Sequence, residues 1–203
     1  MTAGPEDSEI HKTIVIGAGP NTPTLFKWTL DGTTFQSQWG DGTLPHIYKN
    51  GSVPTYSGNL AIEVPNLHEW VYIIVESPIP LPHPIHLHGH DFFILAQGTG
   101  AYSDSVALNT DNPPRRDVAL MPWSASAGTG GYLVLAFETD NPGAWLMHCH
   151  IGWHVSMGFA LQIIENLDGI SKTVTDSCQL DNTCLSWNKY ATANHIVVED
   201  SGV

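Results

Sequence analysis

The chain has 203 residues, 42% of them apolar, enough for one domain with a sizeable core. Its formal net charge is −13 with seven Lys or Arg, which argues against nucleic acid or an anionic membrane as partner. No run of apolar residues is long enough for a transmembrane helix, and the opening MTAGPEDSEI lacks the basic and apolar regions of a signal peptide.

Nineteen Gly and fourteen Pro favour turns and short strands over long helices. Residues 1–11 are polar and read as a disordered or linker end. Short apolar runs follow at Lys12–Ile16 and Leu25–Leu30, the second closed by the turn signal Asp31-Gly32. Residues 39–57 show little periodicity and read as a loop. Within it, Asn50-Gly51-Ser52 is a formal glycosylation sequon and equally an Asn-Gly turn. Strands are predicted at Leu60–Val64 and Glu69–Glu76, the second rich in β-branched and aromatic residues. Pro78, Pro80, Pro82 and Pro84 then hold the backbone extended and withhold ladder donors, a stiff approach that presents the histidines beyond. Further strands are predicted at Asp91–Gln97, Arg115–Met121, Gly131–Glu138, Ala144–His150 and Gly158–Glu165, with a loop over Gly98–Pro114 and a turn at Asp140–Gly143. Eight or nine short strands at this spacing predict an all-β Greek-key barrel or sandwich, from residue 12 to about residue 175. Residues 176–203 form a tail, where Leu180, Cys184 and Trp187 at helical spacing predict a short helix.

Two stretches carry the chemistry. His83-Pro84-Ile85-His86-Leu87-His88-Gly89-His90 holds four histidines in eight residues. His148-Cys149-His150-Ile151-Gly152-Trp153-His154 holds three histidines and a cysteine in seven. In extended backbone, side chains alternate sides, so Cys149 points one way and His148 and His150 the other. His86 and His88 likewise share a face, while His83 across Pro84 is free to point elsewhere. His83, Cys149 and His154 make a two-His-one-Cys set, the trigonal ligand set of a blue-copper centre. His86, His88, His148 and His150 remain as an all-imidazole set. Thiolate and imidazole select copper, zinc or iron over magnesium or calcium.

HPIHLHGHDF followed about sixty residues later by HCHIGWH resembles the last cupredoxin domain of multicopper oxidases. The flanking RRDVALMPW and ETDNPGAW and the terminal DSGV are most similar to fungal laccases of the ascomycete type. This resemblance covers the chain from about Trp28 to its end. It implies a cupredoxin-like fold and copper as cofactor. His83, Cys149 and His154 would hold the type 1 ion, His86 a type 2 ion, and His88, His148 and His150 a type 3 pair. The axial position falls on Phe159, which cannot coordinate and should raise the reduction potential; Met157 matches a non-ligand position. His90 matches a non-ligand beside the cluster. The family's oxygen site needs eight histidines, and this chain offers only four of them. It would therefore complete the type 1 site, hold half of the trinuclear site, and be inactive without upstream cupredoxin domains.

The implied partners are dioxygen and a phenol or aromatic amine. Electrons would enter through the exposed edge of His154 and pass through Cys149 to His148 and His150. Asp200 and Val203 lie in a terminus resembling a plug toward the oxygen site, and a frayed acidic tail is the alternative. A secreted parent fits the resemblance, the chain being a C-terminal piece of it. Cys178 and Cys184 can bridge each other or pair elsewhere; by resemblance Cys184 bridges to the first domain. Arg115, Arg116 and Asp117 read as an ion pair under the ligand loops, and Trp145 and Trp153 as packing around the metal sites. A free-standing blue-copper electron carrier and an inactive metal-binding fragment are the rival readings.

Overall fold

The computed structural model describes residues 10–19, 26–56 and 58–201. Two mixed sheets face each other. One has the order β2-β1-β4-β9-β6-β7, built from β1 (Ile10–Ala18), β2 (Trp28–Leu30), β4 (Trp70–Ser77), β6 (Phe92–Thr99), β7 (Arg115–Arg116) and β9 (Gly131–Glu138). The other runs β3-β11-β10-β5-β8, built from β3 (Ala61–Val64), β5 (His83–Leu87), β8 (Val118–Met121), β10 (Gly143–Cys149) and β11 (Ala160–Glu165). Most pairs are antiparallel; β1–β4 and β3–β11 are parallel. The apolar faces meet in one core that includes Ile73, Val75, Ile85, Leu133, Leu135, Met147 and Ile163, all at most 3% exposed. Burial of this kind is the main favourable term in folding.

The predicted strands form, with shifted ends. Arg115–Met121 is split: β7 pairs with β6 in one sheet and β8 with β5 in the other, so the chain changes sheets at Asp117. Three helical pieces were not anticipated. Residues 39–57 contain α1 (Thr43–Asn50) rather than only loop. Pro45 lies in its first turn, where a missing N–H costs no helical bond, and Gly51 ends it in the left-handed conformation at φ 66. A short turn of helix, α2 (Gly152–Ser156), carries His154. A third, α3 (Leu167–Thr173), follows β11. The predicted tail helix is longer than expected: α4 spans Ser177–Asn194, and the Asp176 carboxylate accepts from Gln179 N at 2.9 Å as its N-cap. Trp187 packs at a tilt 4.8 Å from Trp39, ahead of α1, and Lys49 pairs with Asp181 at 2.6 Å, tying α4 to α1.

Cys149, Cys178 and Cys184 are all free thiols. Cys178 and Cys184 sit six residues apart on one helix, about 9 Å of rise, beyond disulfide reach, so the mutual bridge does not form. No helix among the described residues is long and apolar enough to cross a membrane.

Candidate metal centre

Register decides where each ligand points. In the β5–β10 ladder Ile85 faces Cys149 and His86 faces His148. Opposed residues share a side of the sheet. Ile85 and Cys149 therefore point into the core, and His86 and His148 point out of it. His83 keeps the parity of Ile85 and Leu87, and β5 alternates buried and half-buried from its first residue. Proline at position 84 still fits the strand: its carbonyl accepts from His150 N at 2.7 Å.

The inner group is His83, Cys149 and His154, all buried, with one ligand atom from each within 4.8 Å of the others. Cys149 Sγ lies 3.8 Å from His83 Nδ1 and 3.4 Å from His154 Nδ1, and the two Nδ1 atoms are 3.2 Å apart. A metal held by two imidazoles and a thiolate at ordinary bond lengths requires edges of about 3.5–3.8 Å in a trigonal plane. His83 Nε2 is buried with no hydrogen-bond partner. Two ring nitrogens and a sulfur converging in a dry pocket therefore fit a soft cation better than a hydrogen-bonded core.

Aromatic side chains wall this pocket. Trp28 has its ring centroid 4.5 Å from His154 and 5.1 Å from His83. Phe159 packs 4.9 Å from His83 on another side. Trp153 stands on edge 4.0 Å from His154. This corrects the expectation of an exposed His154 edge: His154 is 2% exposed, while Trp153 is 56% exposed. The α2 turn swings the imidazole inward and leaves the indole outside.

Burial pushes the His83 imidazole down to about 3, helped by His154 beside it, and the His154 imidazole down to about 4. It pushes the Cys149 thiol up to about 11. Both rings thus stay in the neutral, metal-binding form, and the thiol awaits a cation to release its proton. A consequence holds for the metal-free chain. The unfolded chain binds protons below about pH 6.5 that the folded rings refuse until pH 4 or lower, so stability must fall as pH drops through that window. The expected slope approaches about 1.4 kcal/mol per pH unit for each of the two histidines. Denaturant unfolding at pH 7, 6 and 5 measures it; a flat profile would contradict neutral burial.

The outer group is His86, His88 and His148, also within 4.8 Å of one another. His88 Nε2 and His148 Nε2 are 3.1 Å apart. His86 Nδ1 donates to the Asp117 carbonyl at 2.7 Å and His148 Nδ1 to the Cys149 carbonyl at 2.9 Å. Carbonyls only accept, so both rings carry their proton on Nδ1 and present a bare Nε2 outward, the usual way a ligating imidazole is oriented. The inner group presents Nδ1 instead. Burial lowers the pKa of His88 and His148, with neighbouring imidazoles adding to it. His150 joins this face by ring contact, 5.8 Å from His148 and 5.6 Å from His86, but its ligand atom lies outside the group of three. An open cleft of about 860 Å³ lies over His86 and His88, bordered by Trp70, Asp91 and Glu138.

His90 is 2.8 Å from Glu165, both nearly sealed from solvent. Arg115, by contrast, is exposed and only 3.9 Å from Asp91, with its guanidinium over Phe93; it is no buried ion pair. Asp117 meets His86 Nδ1 through its carbonyl at 2.7 Å, with its carboxylate 3.9 Å away. Asp200 is exposed, and Val203 lies outside the described residues. Trp28, the Asp117 carbonyl and Glu165 were not singled out from sequence. Trp28 sits in an apolar run with nothing to mark it, and a carbonyl has no residue signature.

A multicopper oxidase family model matches residues 18–168. The chain is 41% identical to Laccase-1 of Botryotinia fuckeliana, over 98% of this chain and 34% of that protein. It is 35% identical to dihydrogeodin oxidase of Aspergillus terreus, over 100% of this chain and 37% of that protein. Its fold superposes on the crystal structure of the laccase from Botrytis aclada with a TM-score of 0.83 at 34% identity, covering 95% of this chain and 35% of that one. The two-sheet sandwich is thus a cupredoxin fold, and the chain spans about a third of the length of the proteins it matches.

Proposed function

Because the chain belongs to the multicopper oxidase family, we propose that it is the C-terminal copper domain of a secreted laccase-type enzyme, which oxidises phenols or aromatic amines one electron at a time and reduces dioxygen to water. The observation that carries this reading is the β5–β10 register: Cys149 faces inward while His148, one residue earlier, faces outward. Two donor sets then share one peptide unit. Copper supplies one-electron redox chemistry at both sets when bound.

The chain's own residues do the rest. His83, Cys149 and His154 would hold the type 1 ion, with Phe159 packed against His83 and Trp28 against both rings, keeping water out. The exposed Trp153 ring, 4.0 Å from His154, is the surface a flat aromatic donor would meet. From Cys149 the covalent path to His148 and His150 is one residue in either direction. His86, His88, His148 and His150 would supply half of the oxygen site, and upstream domains of the same polypeptide the other half, across the open cleft. A bridge from Cys184 to that upstream part belongs to the same reading.

A free-standing electron carrier would need only the inner group; the 3.1 Å approach of His88 and His148 favours the oxidase reading over it. Copper titration tests the proposal. One tightly held coloured ion per chain, without oxygen uptake, is expected, and uptake should appear when the upstream domains are expressed with it. No coloured ion, or no uptake after that addition, would overturn it.

A further inference from the structure

We infer that Ser201 is a positioning residue that straps the end of the chain onto the helical turn carrying His154. This rests on the reading of His154 as an inner-site ligand. The turn α2 is five residues long; at its end the Val155 carbonyl accepts from Gly158 N at 3.0 Å, and the Ser156 carbonyl has its partner outside the turn. Ser201 adds a second bond to the first of these carbonyls and supplies the partner of the second, from 45 or more residues away. Its hydroxyl donates to the Val155 carbonyl at 2.6 Å and its N–H to the Ser156 carbonyl at 2.7 Å. Its own carbonyl accepts from Ser37 N at 2.7 Å. The residue is fully buried although Glu199 and Asp200 before it are exposed.

The strap continues on both sides. Lys27 Nζ donates to the Glu199 carbonyl, and Gln36 Nε2 to the Val198 carbonyl at 3.4 Å. The segment it grips is the one that walls the inner site: Trp28 N bonds the Met157 carbonyl at 2.8 Å, and Phe35 N the Gly158 carbonyl at 3.2 Å. Phe35, Val155 and Ala160 pack together beneath it. Val155 directly follows His154, so the tail fixes the outer wall of the inner pocket. A five-residue helix cannot hold itself in water; its rigidity has to come from such contacts. The tail thus acts on the inner site.

Amide exchange and copper colour in the 203-residue chain test this together. Three forms are compared: the unmodified chain, Ser201→Ala, and a chain ending at Glu199. Ser201→Ala removes one of the three bonds and should speed exchange at 153–157 by about fivefold; the shortened chain removes all three and should speed it by about a hundredfold. Exchange in Gly131–Glu138 should be unchanged in all forms. The thiolate-to-copper absorption and the copper midpoint potential should shift in the same order, which a merely global loss of stability would not produce. Unchanged exchange at 153–157 in the shortened chain would overturn the strap. Faster exchange with an unmoved spectrum and potential would overturn its action on the inner site. Absence of colour in the unmodified chain would sink the copper reading instead, and the exchange result would still decide the strap.

Discussion

Cys149→Ser is expected to abolish the thiolate colour completely and to weaken copper at the inner site by more than about a hundredfold. Loss of a group that only orients a ligand costs tenfold to a hundredfold, and here the one anionic, soft donor is lost outright. Serine is nearly the same shape, and its hydroxyl would face the two Nδ1 atoms that now lie 3.4 and 3.8 Å from the sulfur. The metal-free chain should therefore keep its stability to within about 1 kcal/mol. That separation makes the variant informative: affinity and colour fall while folding does not. Metal titration and denaturant unfolding on the same sample measure both. A variant that still binds a coloured ion would remove Cys149 from the site.

The largest effect on stability is expected at Glu165→Ala, a loss of about 3–5 kcal/mol. Glu165 ends β11 with a side chain that solvent does not reach. One carboxylate oxygen lies 2.8 Å from His90 Nε2, and the other accepts the Asn141 backbone N–H. On the other side of its ring, His90 Nδ1 donates to the His88 carbonyl at 3.2 Å. Burial alone would lower the His90 pKa, but the Glu165 hydrogen bond and charge, with the His88 carbonyl, hold it above its ordinary value. Alanine would leave His90 Nε2 buried and unpaired and take away the acceptor of the Asn141 N–H. It would also free the loop at Gly89, which turns at φ 73 directly against the Trp145 ring. Equilibrium unfolding in urea measures the loss. A change below about 1 kcal/mol would mean that the pair contributes little and that the loop is held by packing alone.

The sandwich was legible because its strands are short, β-branched and separated by turn residues, and Gly131–Glu138 was placed to the residue. What was missed has local causes. Residues 43–50 contain a proline that lowers any helix reading, yet the proline sits where a helix tolerates it. The split at Asp117 has no sequence mark, since both halves read as strand and only pairing partners separate them. The tail helix was found by its apolar spacing but cut short, because the Asp176 cap precedes the periodic residues. Leu185, exposed, adds nothing to that period.

The sequence by itself determined which candidate donors lie on which side of the backbone. Alternation in an extended chain sends Cys149 one way and His148 and His150 the other, whatever the rest of the fold does. Only the tertiary structure decided which distant donors meet them, which nitrogen of each ring is bare, and that Trp153 rather than His154 faces solvent. Those outcomes depend on ladder register, on carbonyls such as that of Asp117, and on a helical turn gripped by Ser201, none of which is a property of residue type or spacing along the chain.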